Sequence, residues 1–285
     1  MDSQYLTIYD IAPGKVIAGR FTIVGPNRQG GFSTAYEAKG SDGSRCEIQF
    51  FPAGLFEDTN QVGDFQERLQ PWTEIGCPTV LKVRELLPLE PDGLALVTDF
   101  PEGESLRERL NREKQLSPKQ VVDLGCQLLA GLDAIHSGGL HHGDIKPYSV
   151  HISGGSDGEP LTALLVDGGV TPGLWTAKSL GDKTALIGTP YYAPVEQFGG
   201  DAPDVRSDIY NLATVLYEAI AGKLPWSGTS FLDVFQAKLQ DPPPLSVRAP
   251  DVEVDPKLEQ AIARGCLADR RKRYSSASEF LSALS

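Results

Sequence analysis

An α+β fold in two lobes, a small β-rich one followed by a larger helical one, is predicted by three features of this 285-residue chain. Residues 20–51 alternate apolar and polar positions and are broken by the turn-forming runs PNRQGG and GSDGS, so RFTIV, STAYEA and RCEIQFF read as three antiparallel strands. After PEGES, at 101–105, the apolar spacing lengthens to that of helices. The length is about twice that of an ordinary domain, which suits either one large two-lobed body or two domains.

The remaining elements follow in order. A short helix is expected around 62–75, and TVLKVREL and LALVTDF complete the β-rich lobe near residue 100. Ser117 and Pro118 are an N-cap and a first-turn proline. Val121, Val122, Leu124, Leu128, Leu129, Leu132 and Ile135 then make an apolar stripe that Gly138 and Gly139 end. A second long helix is expected from about Ser207 through NLATVLYEAIAG, DPPPLSVRAP reads as an extended connector, and 251–285 is helical with a basic cluster, ADRRKRY.

Composition narrows the function classes. With 40% hydrophobic and 22% charged residues the chain can bury a core and is not expected to be disordered. Its net charge of -12 repels nucleic acid phosphates and anionic lipid, leaving proteins or small molecules as expected partners. No apolar run approaches the ~18 residues of a membrane span, and MDSQYLTIYD lacks a signal-peptide core. The four cysteines stand far apart, without zinc or disulfide spacing. A soluble, cytoplasmic domain with no membrane contact of its own is the expectation.

Three motifs stand in a telling order: HHGDIKPYSV at 141–150, VDGG at 166–169 and GTPYYAPVEQ at 188–197. Each alone says little. Together they resemble the signature set of protein kinases: glycine-rich loop, strand lysine, catalytic loop, metal-binding DFG and the APE segment. PGKVIAGRFTIV resembles the lead-in of bacterial Ser/Thr kinases, SDIYNLATVLYEAIAGKLPW their long central helix, and LADRRKRYSSASEFL their terminal helix. The resemblance implies a kinase-like domain over 14–285, with lobes of about 14–100 and 101–285 after an extension of residues 1–13.

It also implies roles. Asp144 takes the place of the base that accepts the substrate hydroxyl's proton, and Lys146 that of the cation neutralising the moving phosphoryl group. Asp167 is the implied magnesium ligand, with Ser149 where a second ligand, usually asparagine, would stand. Glu196 of the APE segment is implied to pair with Arg273.

Other positions depart from the family. Gln49 stands at the phosphate-binding lysine, and no lysine occurs between Lys39 and Lys82 to rescue the register. A neutral amide there forgoes up to about 4 kcal/mol of attraction at ~4 Å in an effective dielectric near 20. Strand alternation puts Glu47 on the same face, where the family uses alanine. The partner glutamate of the following helix becomes Arg68, beside Glu67, and Pro71 is expected to bend or end that helix.

In the glycine-rich loop Arg28 and Ser33 replace the first and third glycines while Gly30 remains. At the hinge Pro101 lacks the N–H that would meet adenine, leaving the carbonyl of Asp99. Gly143 replaces the arginine of HRD, and Gly168 the phenylalanine of DFG. The expectation is a pseudokinase acting by protein binding or conformational switching, with no certain cofactor and with ATP and magnesium bound weakly. The alternative is a weak or atypical Ser/Thr kinase using Asp144, Lys146 and Asp167. Phosphorylation at Thr176, Ser179, Thr184 or Thr189 is not expected to act as an on-switch, residues 167–196 are expected to be mobile, and Trp226, Phe231 and Phe235 are candidate docking aromatics.

Overall fold

The structure, a computed structural model, describes residues 11–29, 33–89, 93–155, 159–178, 190–228 and 230–285. The chain divides into two compact units. One comprises Met1–Gly76, Leu81–Pro101 and Gly173–Ser179, the other Cys77–Val80, Glu102–Pro172 and Leu180–Ser285.

The first unit is built on an antiparallel sheet of β1 (Val16–Ile17), β2 (Phe21–Gln29), β3 (Thr34–Gly40), β4 (Arg45–Phe51), β5 (Val83–Leu89) and β6 (Gly93–Asp99), in spatial order β1-β2-β3-β4-β6-β5. Alternation sends Ile17, Ile23, Ala38, Cys46, Ile48 and Val97 into one core. Glu47 and Gln49 occupy the opposite face of β4 and are buried too. β2 runs further than RFTIV suggested. Two register irregularities, between Ile23 and Gly25 and between Pro26 and Arg28, carry it on to Gln29 and pair Arg28 with Ala35.

Between β4 and β5 lies α1 (Thr59–Leu69), capped by the Asp58 carboxylate on the Gln61 N–H. Pro71 falls inside a short 3-10 segment, Gln70–Glu74, so the α-helix ends at Leu69. The element expected over 62–75 is therefore two elements.

The second unit carries β7 (Glu104–Ser105), β8 (Val150–Ser153) and β9 (Thr162–Leu165) as a small sheet, together with the remaining helices, of which α4 has only its first three residues in this unit. These are α2 (Leu106–Glu113), α3 (Pro118–Ser137), α4 (Val170–Ala177), α5 (Val195–Phe198), α6 (Val205–Ala221), α7 (Phe231–Lys238), α8 (Leu245–Arg248), α9 (Pro256–Gly265) and α10 (Ala277–Leu284). α4 crosses the division between the units at Pro172 and Gly173.

Ser117 and Gln120 form a reciprocal capping box at the start of α3, and the stripe Val121, Leu124, Leu128, Leu129, Leu132, Ile135 is fully buried. Gly125 lets α10 come close: a Cβ there would stand 2.4 Å from Leu284 Cδ2. α6 begins two residues before Ser207, and its cap is the Asp204 carboxylate, which accepts from the Ser207 N–H at 2.9 Å.

Val170–Ala177, within the segment expected to be mobile, is helical. One expectation needs correction. Trp226 is a core residue, 6% exposed and stacked 5.6 Å from Tyr210, whereas Phe235 is half-buried against Phe198. Ser179, Thr184, Thr189 and the side chain of Phe231 lie outside the described residues. Among those described, no helix is long and apolar enough to cross a membrane.

Candidate functional site

In the β-rich unit the departures from the family pattern are bonded to one another. Glu47 is 1% exposed, and such a carboxylate persists inside a protein only if its charge and lone pairs are met. Arg28 meets both oxygens, Nε to Oε2 at 2.9 Å and Nη2 to Oε1 at 2.5 Å, and Asn27 Nδ2 adds a bond of 2.6 Å. Gln49 Nε2 donates to Ser33 Oγ at 2.7 Å. The residue at the first glycine thus neutralises the one at the family's alanine, and the residue at the third glycine satisfies the one at the lysine. Gly30 lies outside the described residues.

The other expected residues of this unit are placed as follows. Glu67 and Arg68 are both exposed on α1. The Asp99 carbonyl accepts from Thr98 Oγ1 at 2.9 Å while its carboxylate pairs with Arg84 Nε at 2.6 Å, and Pro101 is buried. The fit to a nucleotide's phosphates is poor on this face: Gln49 is neutral and the Arg28 guanidinium is spent on Glu47.

The helical unit holds its loop residues differently. Asp208, wholly buried in α6, accepts from the backbone N–H groups of His142 at 2.7 Å and Gly143 at 2.8 Å. His136 Nε2 lies 3.0 Å from the same carboxylate. Burial pushes the Asp208 carboxyl upward, but the His136 hydrogen bond, the neighbouring imidazoles and the Gly143 N–H outweigh it and hold the group below its ordinary value. His142 Nε2 sits 2.9 Å from the Val166 carbonyl, tying the loop to the strand side of Asp167.

On that frame Lys146 Nζ donates to Asp144 Oδ2 at 2.6 Å, and Thr171 Oγ1 donates to the same oxygen at 2.9 Å. Ser149 is buried, its hydroxyl accepting from the Lys146 N–H and lying 3.1 Å from the Asp144 carbonyl. It is thereby turned to the loop's own backbone. Asp167 has φ +62°, in the left-handed region, and is followed by Gly168 and Gly169. Lys146 and the carboxylate of Asp167 are the groups on this unit suited to phosphate and magnesium.

Further along, Arg273, fully buried, reaches Glu196 with Nη1 at 2.5 Å and Nη2 at 2.9 Å. Lys238, also buried, donates to the Ala193 carbonyl at 2.9 Å and lies 4.7 Å from the Trp226 ring centroid. Desolvation pulls its ammonium down to about 7.

Sequence reasoning missed Asp208, Asn27 and Thr171. Asp208 had a weak signal, a carboxylate at the start of the largely apolar helical run SDIYNLATVLYE, which fits a buried hydrogen-bonded role as well as an ordinary first-turn acid. Thr171 had a weaker one: Pro172 suits a first helical turn, and Val170, Leu174, Trp175 and Ala177 follow a helical face.

A protein-family model described as protein kinase domain matches residues 28–283. Among curated proteins the chain is 25% identical over 270 residues to the probable serine/threonine-protein kinase PknB of Lactococcus lactis, covering 94% of this chain and 42% of that protein. It is 35% identical over 219 residues to the serine/threonine-protein kinase PkaB of Streptomyces coelicolor, covering 74% and 51%. The chain spans about half the length, or less, of these relatives. The solved PknI kinase domain of Mycobacterium tuberculosis superposes with a TM-score of 0.73 at 21% identity, over 96% of this chain and 98% of that one.

Proposed function

Because this chain belongs to the protein kinase domain family, of the bacterial Ser/Thr type, we propose that it is a signalling domain whose nucleotide handling is impaired and which acts by binding a protein partner or switching conformation. The observation that carries this reading is the bidentate ion pair of Arg28 with Glu47, at positions that in the family pattern face the nucleotide. A phosphate approaching Arg28 would have to break that pair and strand a buried carboxylate, and the adjoining Gln49 offers no charge in return. Titration with ATP, with and without magnesium, tests it through melting temperature. Binding that reached a hundredfold excess over the dissociation constant would stabilise the protein by ~2.7 kcal/mol. The expected shift at micromolar ATP is far smaller, and a large one refutes the reading.

A second reading is a weak or atypical ATP-dependent Ser/Thr kinase. The two curated relatives named above, one a serine/threonine-protein kinase and the other a probable one, favour it over the first. The observation on its side is the close pairing of Asp144 with Lys146 on a loop held by Asp208. Losing one preorganised electrostatic contact typically costs ~10²- to 10³-fold in rate, so a reduced turnover fits this case. Phosphate incorporated into the protein or a generic peptide, and lost in Asp144→Asn, selects it.

A further inference from the structure

The stretch 192–194, which leads into α5, is held by side chains of two helices. α6 supplies the inner supports: Asn211 Nδ2 donates to the Tyr192 carbonyl at 2.8 Å, and the Tyr192 hydroxyl donates to Glu218 Oε2 at 2.5 Å. α7 supplies the outer one, Lys238, whose Nζ donates to the Ala193 carbonyl at 2.9 Å and to the Tyr210 hydroxyl at 3.3 Å. α6 is buried from Ser207 onward. α7 instead carries Leu232, 58% exposed, and runs into Leu239, 48% exposed, so it is the support that can come away.

The Lys238 side chain is wholly buried, and among the described residues no carboxylate lies within ion-pair distance of its Nζ. The groups that face it are Tyr210 of α6, Trp226, Glu196 of α5, Cys266 at the end of α9, and Arg273. Glu196 is taken by both terminal nitrogens of Arg273. Burial pushes the Cys266 thiol up to about 12 and the Tyr210 hydroxyl well above its ordinary value, so neither supplies a negative charge. Arg273 itself lies 4.6 Å from the Tyr210 ring centroid, and Lys238 Nζ lies 5.0 Å from the same centroid. An ammonium at 238 is therefore a second cation at that ring, with one carboxylate for the two. The aromatic rings ease its burial but bring no counter-charge. A neutral amine keeps N–H donors for the Ala193 carbonyl without that penalty.

We infer that Lys238 is a proton-operated latch between α7 and the stretch 192–194: uncharged it holds the Ala193 carbonyl, and proton uptake favours a state in which the end of α7 has come away and the ammonium meets water. The inference goes beyond the function proposed above and stands whether or not the chain transfers phosphoryl groups. In the closed arrangement the ammonium is pulled down to about 7, and in water it returns to 10.5. Between these values the open state binds the extra proton. Each unit by which the pH falls there multiplies the opening constant by about ten, and below pH 7 both states carry the proton and the constant levels off.

The test begins with the wild type, labelled with carbon-13 at lysine Cε. One resonance, assigned to Lys238 by its absence in Lys238→Met or Lys238→Gln, should titrate near pH 7, while exposed lysines titrate at about 10.4. A Lys238 resonance that titrates with the others overturns the latch. Amide hydrogen exchange, corrected for the intrinsic rate at each pH, then reads the opening. Protection of Gln197, Gly199 and residues 234–239 should fall about tenfold from pH 9 to 8, a range above that of an ordinary imidazole, and should stay below that of α3 at both. Lys238→Met removes both charge and donor, and Lys238→Gln removes the charge alone; in both the protection should no longer change with pH. Protection in the wild type that is flat with pH overturns the latch, as does a slope that persists in both variants. Protection equal to that of α3 also overturns it, because the unit would then open only as a whole.

Discussion

The two units of this molecule treat the family's residues in opposite ways. In the β-rich unit four of the changed positions come as partners, Arg28 with Glu47 and Ser33 with Gln49. In the helical unit Asp144, Lys146, Glu196 and Arg273 remain and pair with one another, Lys146 with Asp144 and Arg273 with Glu196, while Asp208 holds the backbone N–H groups of His142 and Gly143. The difference teaches that residues departing from a family's pattern can be partnered with one another rather than left unsatisfied. A buried carboxylate cannot replace alanine unless a cation and a donor arrive with it.

Breaking the contrast at its strongest point gives the largest expected effect. Arg273→Met leaves Glu196 uncompensated in a buried setting, which typically costs about 3–5 kcal/mol, so its denaturation midpoint should fall well below the wild type's. A change near zero would mean the helical unit does not depend on the retained pair.

The corresponding cut in the β-rich unit is somewhat smaller, because Asn27 stays on Glu47 and the Arg28 side chain is 18% exposed. Arg28→Ala should cost about 2 kcal/mol, and adding Glu47→Ala should recover most of it, a coupling that a double-mutant cycle in denaturant measures. Strict additivity of the two changes would show that the pair is incidental. The same double variant carrying Gln49→Lys is the one expected to gain ATP affinity.

A third effect, spread over a range of pH, sharpens the comparison. Burial lowers the Lys238 ammonium to about 7 from an ordinary 10.5, so between these values the unfolded chain binds the extra proton. Stability should therefore rise with pH across that window, by at most about 1.4 kcal/mol per unit, and below it the penalty of the buried charge is fully present. Thermal melts of wild type and Lys238→Met between pH 7 and 9 should differ in slope. Parallel curves would place the titration elsewhere.

Much of the scaffold was readable from residue order because it rests on local rules. Alternation located β3 and β4 and put Glu47 and Gln49 on one face, and Ser117 with Pro118 marked the start of α3. Pro71 correctly announced an interruption, though not that a 3-10 segment would follow it. The partnerships were not readable. Arg28 reaches Glu47 because two irregularities displace the register of β2, and register shifts leave no mark in composition. α4 was hidden by Pro172 and Gly173, which signal a turn unless the buried face formed by Val170, Leu174, Trp175 and Ala177 is weighed against them. α6 was expected from about Ser207 and begins two residues earlier, at Val205, because the carboxylate that caps it stands at Asp204.

The notch at Gly125 bears on the order in which the protein can be assembled. Glycine inside a helix forgoes about 1 kcal/mol relative to alanine, so α3 is weaker in isolation than its apolar stripe suggests. What fills the notch is Leu284 of α10, which leaves the ribosome long after α3 has been made. At synthesis rates of roughly 5–20 residues per second, α3 waits many seconds for its last neighbour, with an apolar face uncovered in the meantime. A nascent chain halted before residue 277 should therefore present α3 to chaperones and proteases, and release of the final helix should withdraw it.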